Sequence, residues 1–281
     1  MKILVLGCRG MLGTALMERL SRSHELCGRD VDDFDIVSPV DCRDVIEETE
    51  PDVVVNAAAY TDVDGCETHQ DECFAVNAAG VRNVATVCRD RGIKMVHFST
   101  DYVFDGTSET PYAETDVCNP INTYGTSKYE GERYLRETCH DYILIRTAWL
   151  YGKKGKNFVT AVLEKAKSEQ TLDVVNDQYG SPTYTVDLAG AVGVLVEGDH
   201  RGIFHLTNRG RCSWYEFACK IMEYAHMDDV EINPIESDRL TRVALRPRYS
   251  VLRCRKFAEA TQKTMRFWQI ALTDYMNRIN C

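Results

Sequence analysis

The chain opens with a short apolar run, Lys2 to Leu6 (KILVL), followed at once by Gly7, Gly10 and Gly13 and by leucines in helical step at Leu12, Leu16 and Leu20. A glycine-spaced turn between a buried strand and a helix admits few architectures. Gly7 permits a tight turn, Gly10 lets backbone come close to a ligand, and Gly13 lets the helix pack on the strand. The spacing is GxxGxxG rather than GxGxxG. A helix that begins this way presents its free N–H groups to an anion, and a dinucleotide pyrophosphate is the expected occupant.

The rhythm continues. His24 to Gly28 is a weak second strand, followed by Arg29 and Asp30. Asp30 lies 20 residues past Gly10, where an acid would bind an adenosine ribose. Arg29 would instead favour a 2′-phosphate, so NADH and NADPH both stay open. Asp33, Asp35 and Asp41 in the next loop do not decide between them. Pro51 to Ala59 (PDVVVNAAA) is a buried strand ending in Ala57, Ala58 and Ala59. These small residues leave room for a flat ring against backbone, although close helix packing explains them equally well. Asp71 to Arg89 has helical spacing, and Asn77 inside it would tie that helix to a strand carrying Ser99 and Thr100. Lys94 to Phe98 and Tyr142 to Arg146 are further buried strands.

Alternating strands and helices predict an α/β fold with a parallel, doubly wound sheet and right-handed crossovers. Ligands of such sheets bind outside the carboxyl ends of the strands. From about residue 150 the rhythm breaks. Helices are expected over Phe158 to Ser168, capped by Asn157, over Trp214 to His226, capped by Ser213, and over Trp268 to Ile279. Short strands are expected at Thr171 to Val175 and Gly202 to Leu206. The division is a dinucleotide-binding domain over 1–150 and about 180–210, with a smaller, irregular substrate-binding portion over about 151–179 and 211–281.

The chemistry concentrates in residues 96–128, VHFSTDYVFDGTSETPYAETDVCNPINTYGTSK. The strand ends in Ser99 and Thr100. Tyr124 and Lys128 are four apart, hence on one helical face. A free phenol has a pKa of about 10 and a nearby ammonium favours its ionised form. Tyr124 would then protonate a carbonyl oxygen, Lys128 would lower the phenol's pKa and bind a ribose hydroxyl, and Thr100 would position the carbonyl. A YxxxK spacing arises often by chance, and only the glycine turn and Thr100 raise it above that. Trp149, just past the Tyr142 strand, is either a sugar platform or a core anchor. The basic run 153–157 (KKGKN) would meet a phosphate or is a solvated loop.

A net charge of -10 over 281 residues argues against nucleic-acid partners. No apolar run approaches the roughly 18 residues of a membrane span, and the N-terminus is too soon interrupted for a signal peptide. A cytoplasmic location is the expectation. The twelve cysteines contain no CxxC pair, which favours buried, inert thiols over disulfides or a metal site. Cys66 and Cys73 are seven apart and would share a helix face.

The segments GCRGMLG, VNAAAYTDVD, FSTDYVFDG, NTYGTSK, RTAWLYG, NDQYGSPT and LRPRYSVL follow one another along the chain. Together they resemble the dTDP-4-dehydrorhamnose reductases, of the extended short-chain dehydrogenase/reductase family. The resemblance implies a Rossmann fold and NADH- or NADPH-dependent reduction of the 4-keto group of dTDP-4-dehydro-L-rhamnose. It implies catalysis by Thr100, Tyr124 and Lys128. It places Gly7, Gly10, Met11, Leu12 and Gly13 at the pyrophosphate turn and Asp30, Asp35 and Ile36 near the adenosine. Ala57, Ala58, Ala59, Tyr60 and Asn77 would complete the cofactor site. Thr100, Asp101 and Trp149 would meet the sugar, and Arg246 the nucleotide end. Some members use magnesium at a dimer contact through C-terminal acids; with no acidic tail after Asp274, no metal residue is assigned, and a monomer or a homodimer is expected. Asp62 stands where the family commonly has alanine, adding a charge near the cofactor. The competing readings are a reductase of another dTDP-4-keto-6-deoxy sugar and a non-catalytic, cofactor-binding regulatory subunit.

Overall fold

The structure is a computed structural model that describes residues 1–279. Strands β1 (Lys2–Leu6), β2 (Glu25–Arg29), β3 (Val53–Asn56), β4 (Lys94–Thr100) and β5 (Tyr142–Thr147) join a sixth, Gly202–His205, in one sheet. The spatial order is Gly202–His205, β5, β4, β3, β1, β2, and every pairing is parallel. The expected doubly wound sheet is therefore present. The chain leaves β1 toward β2 and returns to the other side of β1 as β3, so the crossover direction reverses between β1 and β3. That reversal opens a crevice at the strands' carboxyl ends, where Leu6 lies opposite Asn56.

The apolar runs follow from burial on both faces. In β1, Ile3 and Val5 pack with Leu12, Leu16 and Val192 of the Met11–Leu20 and Thr185–Glu197 helices. Leu4 and Leu6 face the other way, onto Val45, Ile46, Val84 and Leu135 of the Pro39–Thr49, Gly80–Arg91 and Thr123–Thr138 helices. Burying each such side chain stabilises the fold by roughly 1.5–3 kcal/mol. A separate apolar cluster, including Val159, Leu172, Phe217, Trp268 and Leu272, forms from the Phe158–Ala166, Trp214–Ala225 and Trp268–Ile279 helices and the parallel pair Thr171–Val175 and Glu231–Ile235. Asn157 and Ser213 cap their helices as expected, each within a reciprocal capping box.

Two expectations are corrected. The Asp71–Arg89 helix is interrupted by a π turn at Ala75–Ala79. There the Asn77 amide accepts from Tyr60 N at 2.9 Å and donates to Tyr60 O at 3.0 Å and Ser127 Oγ at 3.1 Å. Asn77 thus braces the Tyr60 loop against the Tyr124 helix, not the strand of Thr100, and the widened turn lets its side chain reach both. The third strand stops at Asn56, whose Oδ1 accepts from Ala58 N at 3.1 Å, so the alanines run as a loop.

The eleven described cysteines are free thiols. Cys66 and Cys73 are fully buried and in contact. Among the described residues, no helix is long and apolar enough to cross a membrane.

The interior holds a bidentate ion pair. Arg146 on β5 donates from Nε to Glu132 Oε1 at 2.9 Å and from Nη2 to Oε2 at 2.7 Å, both residues essentially without solvent contact. His205 donates from Nδ1 to Tyr112 O at 3.0 Å, which leaves Nε2 to accept from Arg146 Nη1 at 3.4 Å. Burial and the Arg146 charge push the His205 pKa down to about 3, so the ring stays neutral. Glu132→Ala would leave the guanidinium charged and unpaired and should cost about 3–5 kcal/mol in urea unfolding. The double replacement Glu132→Leu, Arg146→Met should recover most of that loss.

Candidate active site

The carboxyl ends of β1, β3, β4 and β5 surround a cleft of about 470 Å³. One wall is the glycine turn. Gly7 has φ +76°, and a Cβ there would lie 2.7 Å from Ala58 N. A Cβ on Gly13 would fall 1.9 Å from Gly7 O. Gly10 begins the first helix without a side-chain cap, so the helix's leading N–H groups remain open to an anion. These approaches fit a dinucleotide laid across the turn, with Ala57 and Ala59 lining the same cleft.

The opposite wall carries the polar groups. Asn122 caps the Thr123–Thr138 helix by accepting from Gly125 N at 2.7 Å. A Cβ on Gly125 would fall 2.2 Å from Tyr102 O, so the helix starts pressed against the turn that follows β4. This brings Tyr124 to the end of β4, where Thr100 and Asp101 also line the cleft. Lys128 follows one turn later, 2% exposed. Thr100, Tyr124 and Lys128 thus line one cleft together with Gly10 and Gly13 of the glycine turn.

Their electrostatics differ from the simple expectation. Burial holds the Tyr124 phenol well above its usual pKa, and Thr100 favours the phenolate while Asp101 opposes it. The charges that act most on the phenol do not include Lys128. Burial pushes Lys128 down to about 8, against a pull upward from Glu132. The net shift of the phenol is thus upward, set by burial rather than by the expected pull of Lys128, and Tyr124 holds its proton. Asp101, 2% exposed, is pushed up to about 7 by burial.

Met11, Leu12 and Trp149 also line the cleft; Asp30, Asp35, Ile36, Tyr60 and Asn77 do not. Asp30 accepts from Arg9 N at 2.7 Å and so shapes the glycine turn from behind. Asp35 is exposed, whereas Ile36 is in the core against Gly80. Asp62 caps the Val63–Thr68 helix, accepting from Gly65 N at 3.0 Å.

Trp149 has a left-handed φ of +48°, unusual for a bulky residue. Its ring stacks on Trp214 with centroids 3.4 Å apart and planes within 7°. The sugar platform and the core anchor are thus not exclusive: Trp149 packs on Trp214 and still reaches the cleft. Ser99, Thr147, Lys156 and Trp214 line it too. Lys156 belongs to the basic run singled out from the sequence. Trp214 carried no signal, being one aromatic residue after an N-cap.

Arg246 lies in an adjoining cleft of about 850 Å³ that shares Tyr102 and Trp214 with the first. Asp64 grips it at 2.6 and 2.7 Å. Arg242 lines the same cleft and makes no ion pair among the described residues. No group of three or more His, Cys, Asp or Glu that could hold a metal ion occurs among the described residues. Asp274 is held by Arg266 and Arg278.

The family model for the RmlD substrate binding domain matches residues 1–281. The dTDP-4-keto-6-deoxy-D-glucose reductase of Streptomyces niveus is 40% identical over 279 residues, covering 99% of this chain and 97% of that protein. A dTDP-4-dehydrorhamnose reductase from Clostridium acetobutylicum superposes with a TM-score of 0.97 at 39% identity, covering 100% of both chains. The enzyme of the same name from Bacillus anthracis, solved in complex with NADP, gives a TM-score of 0.96 at 36% identity and 99% coverage of both chains.

The stacked indoles can be probed directly. A Cβ on Gly180 would lie 2.3 Å from Trp149 Cε2. Gly180→Ala should displace Trp149 and abolish the near-UV circular dichroism of the coupled pair, with the far-UV spectrum unchanged.

Proposed function

The chain belongs to the RmlD substrate binding domain family, that of the dTDP-4-dehydrorhamnose reductases, and from that premise we propose that it reduces the 4-keto group of dTDP-4-dehydro-L-rhamnose to give dTDP-L-rhamnose. The observation that carries this reading is that Thr100, Tyr124 and Lys128 line one cleft with the glycine turn. A nicotinamide dinucleotide, when bound, supplies a hydride. The residues to hold it are Gly10, Met11, Leu12 and Gly13 at the diphosphate, Ala57 and Ala59 along one side, and Lys128 at the ribose. NADPH and NADH are both admitted, since cations and acids stand together there, Arg9 with Asp32 and Asp33 and Arg29 with Glu48.

The protein's own part is to hold and release one proton. Tyr124 keeps its phenolic proton until reaction because burial disfavours the phenolate. As negative charge grows on the sugar's carbonyl oxygen, the phenol hydrogen bond to that oxygen strengthens and the proton crosses. Lys128, predominantly an ammonium at pH 7, stabilises the phenolate left behind. Thr100 sets the angle of the carbonyl, and the Trp149–Trp214 stack narrows the space for water.

The adjoining cleft supports a diphosphate-linked nucleoside. Arg246 is already committed to Asp64, so it reads as a brace, and the unpaired Arg242 as the cation for the diphosphate. The substrate-binding role of the C-terminal portion rests on the same cleft. A second reading, reduction of a different dTDP-4-keto-6-deoxy sugar, is favoured by the name of the Streptomyces niveus relative.

An assay of NADPH and NADH oxidation across a panel of dTDP-4-keto sugars tests the proposal, and NMR of the product's C4 configuration separates the two sugars. No oxidation with any of them rejects both readings. Tyr124→Phe should bind cofactor normally and turn over about 10² or more slower. Arg242→Ala should weaken dTDP binding about tenfold or more by calorimetry, with cofactor affinity unchanged.

A further inference from the structure

Thr100 has one hydroxyl proton and more than one claimant for it. Its Oγ1 accepts from Tyr102 N at 3.1 Å and donates to Asp101 Oδ1 at 3.1 Å. A hydroxyl offers one donor and two lone pairs. While its proton points at Asp101, Thr100 can present only a lone pair to the cleft. It cannot then donate to a carbonyl oxygen held by Tyr124.

Asp101 is an unusual acceptor. It is buried at the head of the cleft, and its Oδ2 has no hydrogen-bond partner. No cation pairs with it among the described residues. The groups around it come from several elements. The Thr123–Thr138 helix contributes the Tyr124 phenol and, farther along the cleft, Lys128. Its own turn contributes Tyr102, on which Arg246 and Arg242 act. The C-terminal segment contributes Ser250, close enough to favour the ionised carboxyl. The end of β5 contributes Thr147 and, just beyond it, Trp149, which carry no charge. Burial outweighs these bonds and pushes the acid up to about 7.

We propose that Asp101 is a positioning residue that works as a neutral carboxylic acid: carrying its own proton, it frees the Thr100 hydroxyl to donate to the substrate's carbonyl oxygen beside Tyr124. The oxygen then meets two donors where its charge develops. No bond to carbon changes; one proton moves from solvent to the carboxyl, and the Thr100 hydroxyl rotates. The inference rests on the reductase reading and adds to it a state of the site that depends on pH.

The test compares kcat/KM against pH for the wild type, Asp101→Asn and Ser250→Ala. In the wild type kcat/KM falls about tenfold per pH unit above a midpoint near 7. The amide introduced by Asp101→Asn cannot ionise, so that limb disappears. Ser250→Ala removes a group that favours the carboxylate, so the limb moves to higher pH. Lys128 titrates in all three proteins and cancels in their ratios. Parallel profiles for wild type and Asp101→Asn overturn the proposal, as does a loss of more than about 100-fold for Asp101→Asn at every pH with cofactor binding intact, the scale of a lost charged group. If Asp101→Asn does not fold, the Ser250→Ala shift decides alone, its absence counting against the proposal. A readout without turnover is the infrared spectrum of wild type minus Asp101→Asn. A carboxylic acid C=O band should stand at about pH 6 and fade by about pH 8. Its absence sinks the inference; its presence with no turnover of any dTDP-4-keto sugar sinks the reductase reading alone.

Discussion

The buried pair of Glu132 and Arg146 ties the helix of Tyr124 and Lys128 to the sheet. It joins the Thr123–Thr138 helix to β5 one turn beyond Lys128, with two short hydrogen bonds in a space without water. It also decides the electrostatics of the site. Glu132 is four residues past Lys128, the spacing at which a lysine and a glutamate pair on a helix. Because the guanidinium takes both carboxylate oxygens, Lys128 makes no ion pair among the described residues, although the Glu132 charge still pulls its pKa upward. On the proposed reading it is then available to a ribose and to a phenolate formed nearby. A buried pair of this kind adds little net stability over well-packed apolar residues. Its worth here lies in orientation, and in withholding a counter-ion from Lys128.

Close approach of backbone is the second constraint, and it recurs around the cleft. Gly7 meets Ala58, Gly13 meets Gly7, Gly125 meets Tyr102 and Gly180 meets Trp149, while a Cβ on Gly131 would fall 2.2 Å from Asn77 O. Only the positions of Gly7 and Gly13 were legible from sequence, because they belong to a local spacing that joins a strand to a helix. That Gly7 meets Ala58 was not, nor were the other three contacts, since nothing in a single sequence marks which distant backbone a glycine must admit. The same distinction holds for the rest of the fold. Strands buried on both faces announce themselves as apolar runs, and N-caps such as Asn157 and Ser213 act on their own helices, so both were readable. The π turn at Ala75–Ala79 was not, since it exists to carry Asn77 to the Tyr60 loop and Ser127. Trp214 and Arg242 escaped for a similar reason, as their importance comes from the clefts they line rather than from their neighbours in sequence.

The direction of the Tyr124 shift was the clearest misreading, and its physical cause is instructive. The spacing to Lys128 suggests attraction between a phenolate and an ammonium, but spacing says nothing of desolvation. Both groups are buried, and burial disfavours whichever form is charged. The phenol is therefore driven up and the ammonium down, each toward its neutral state. A charge brought into such a place interacts strongly with its neighbours, since little water screens it.

That arrangement suits a reaction that makes an alkoxide. A phenol with a depressed pKa would lose its proton to solvent and stand idle as a phenolate before any charge developed beside it. A phenol held above its usual range keeps the proton until something more basic than itself appears beside it. An alkoxide, whose conjugate acid is far weaker than a phenol, meets that requirement, and a resting ketone does not. On the proposed reductase reading, proton release is coupled to the arrival of negative charge on the sugar oxygen: the burial that raises the phenol's pKa delays the transfer until that charge develops, and Lys128 then stabilises the anion that Tyr124 becomes.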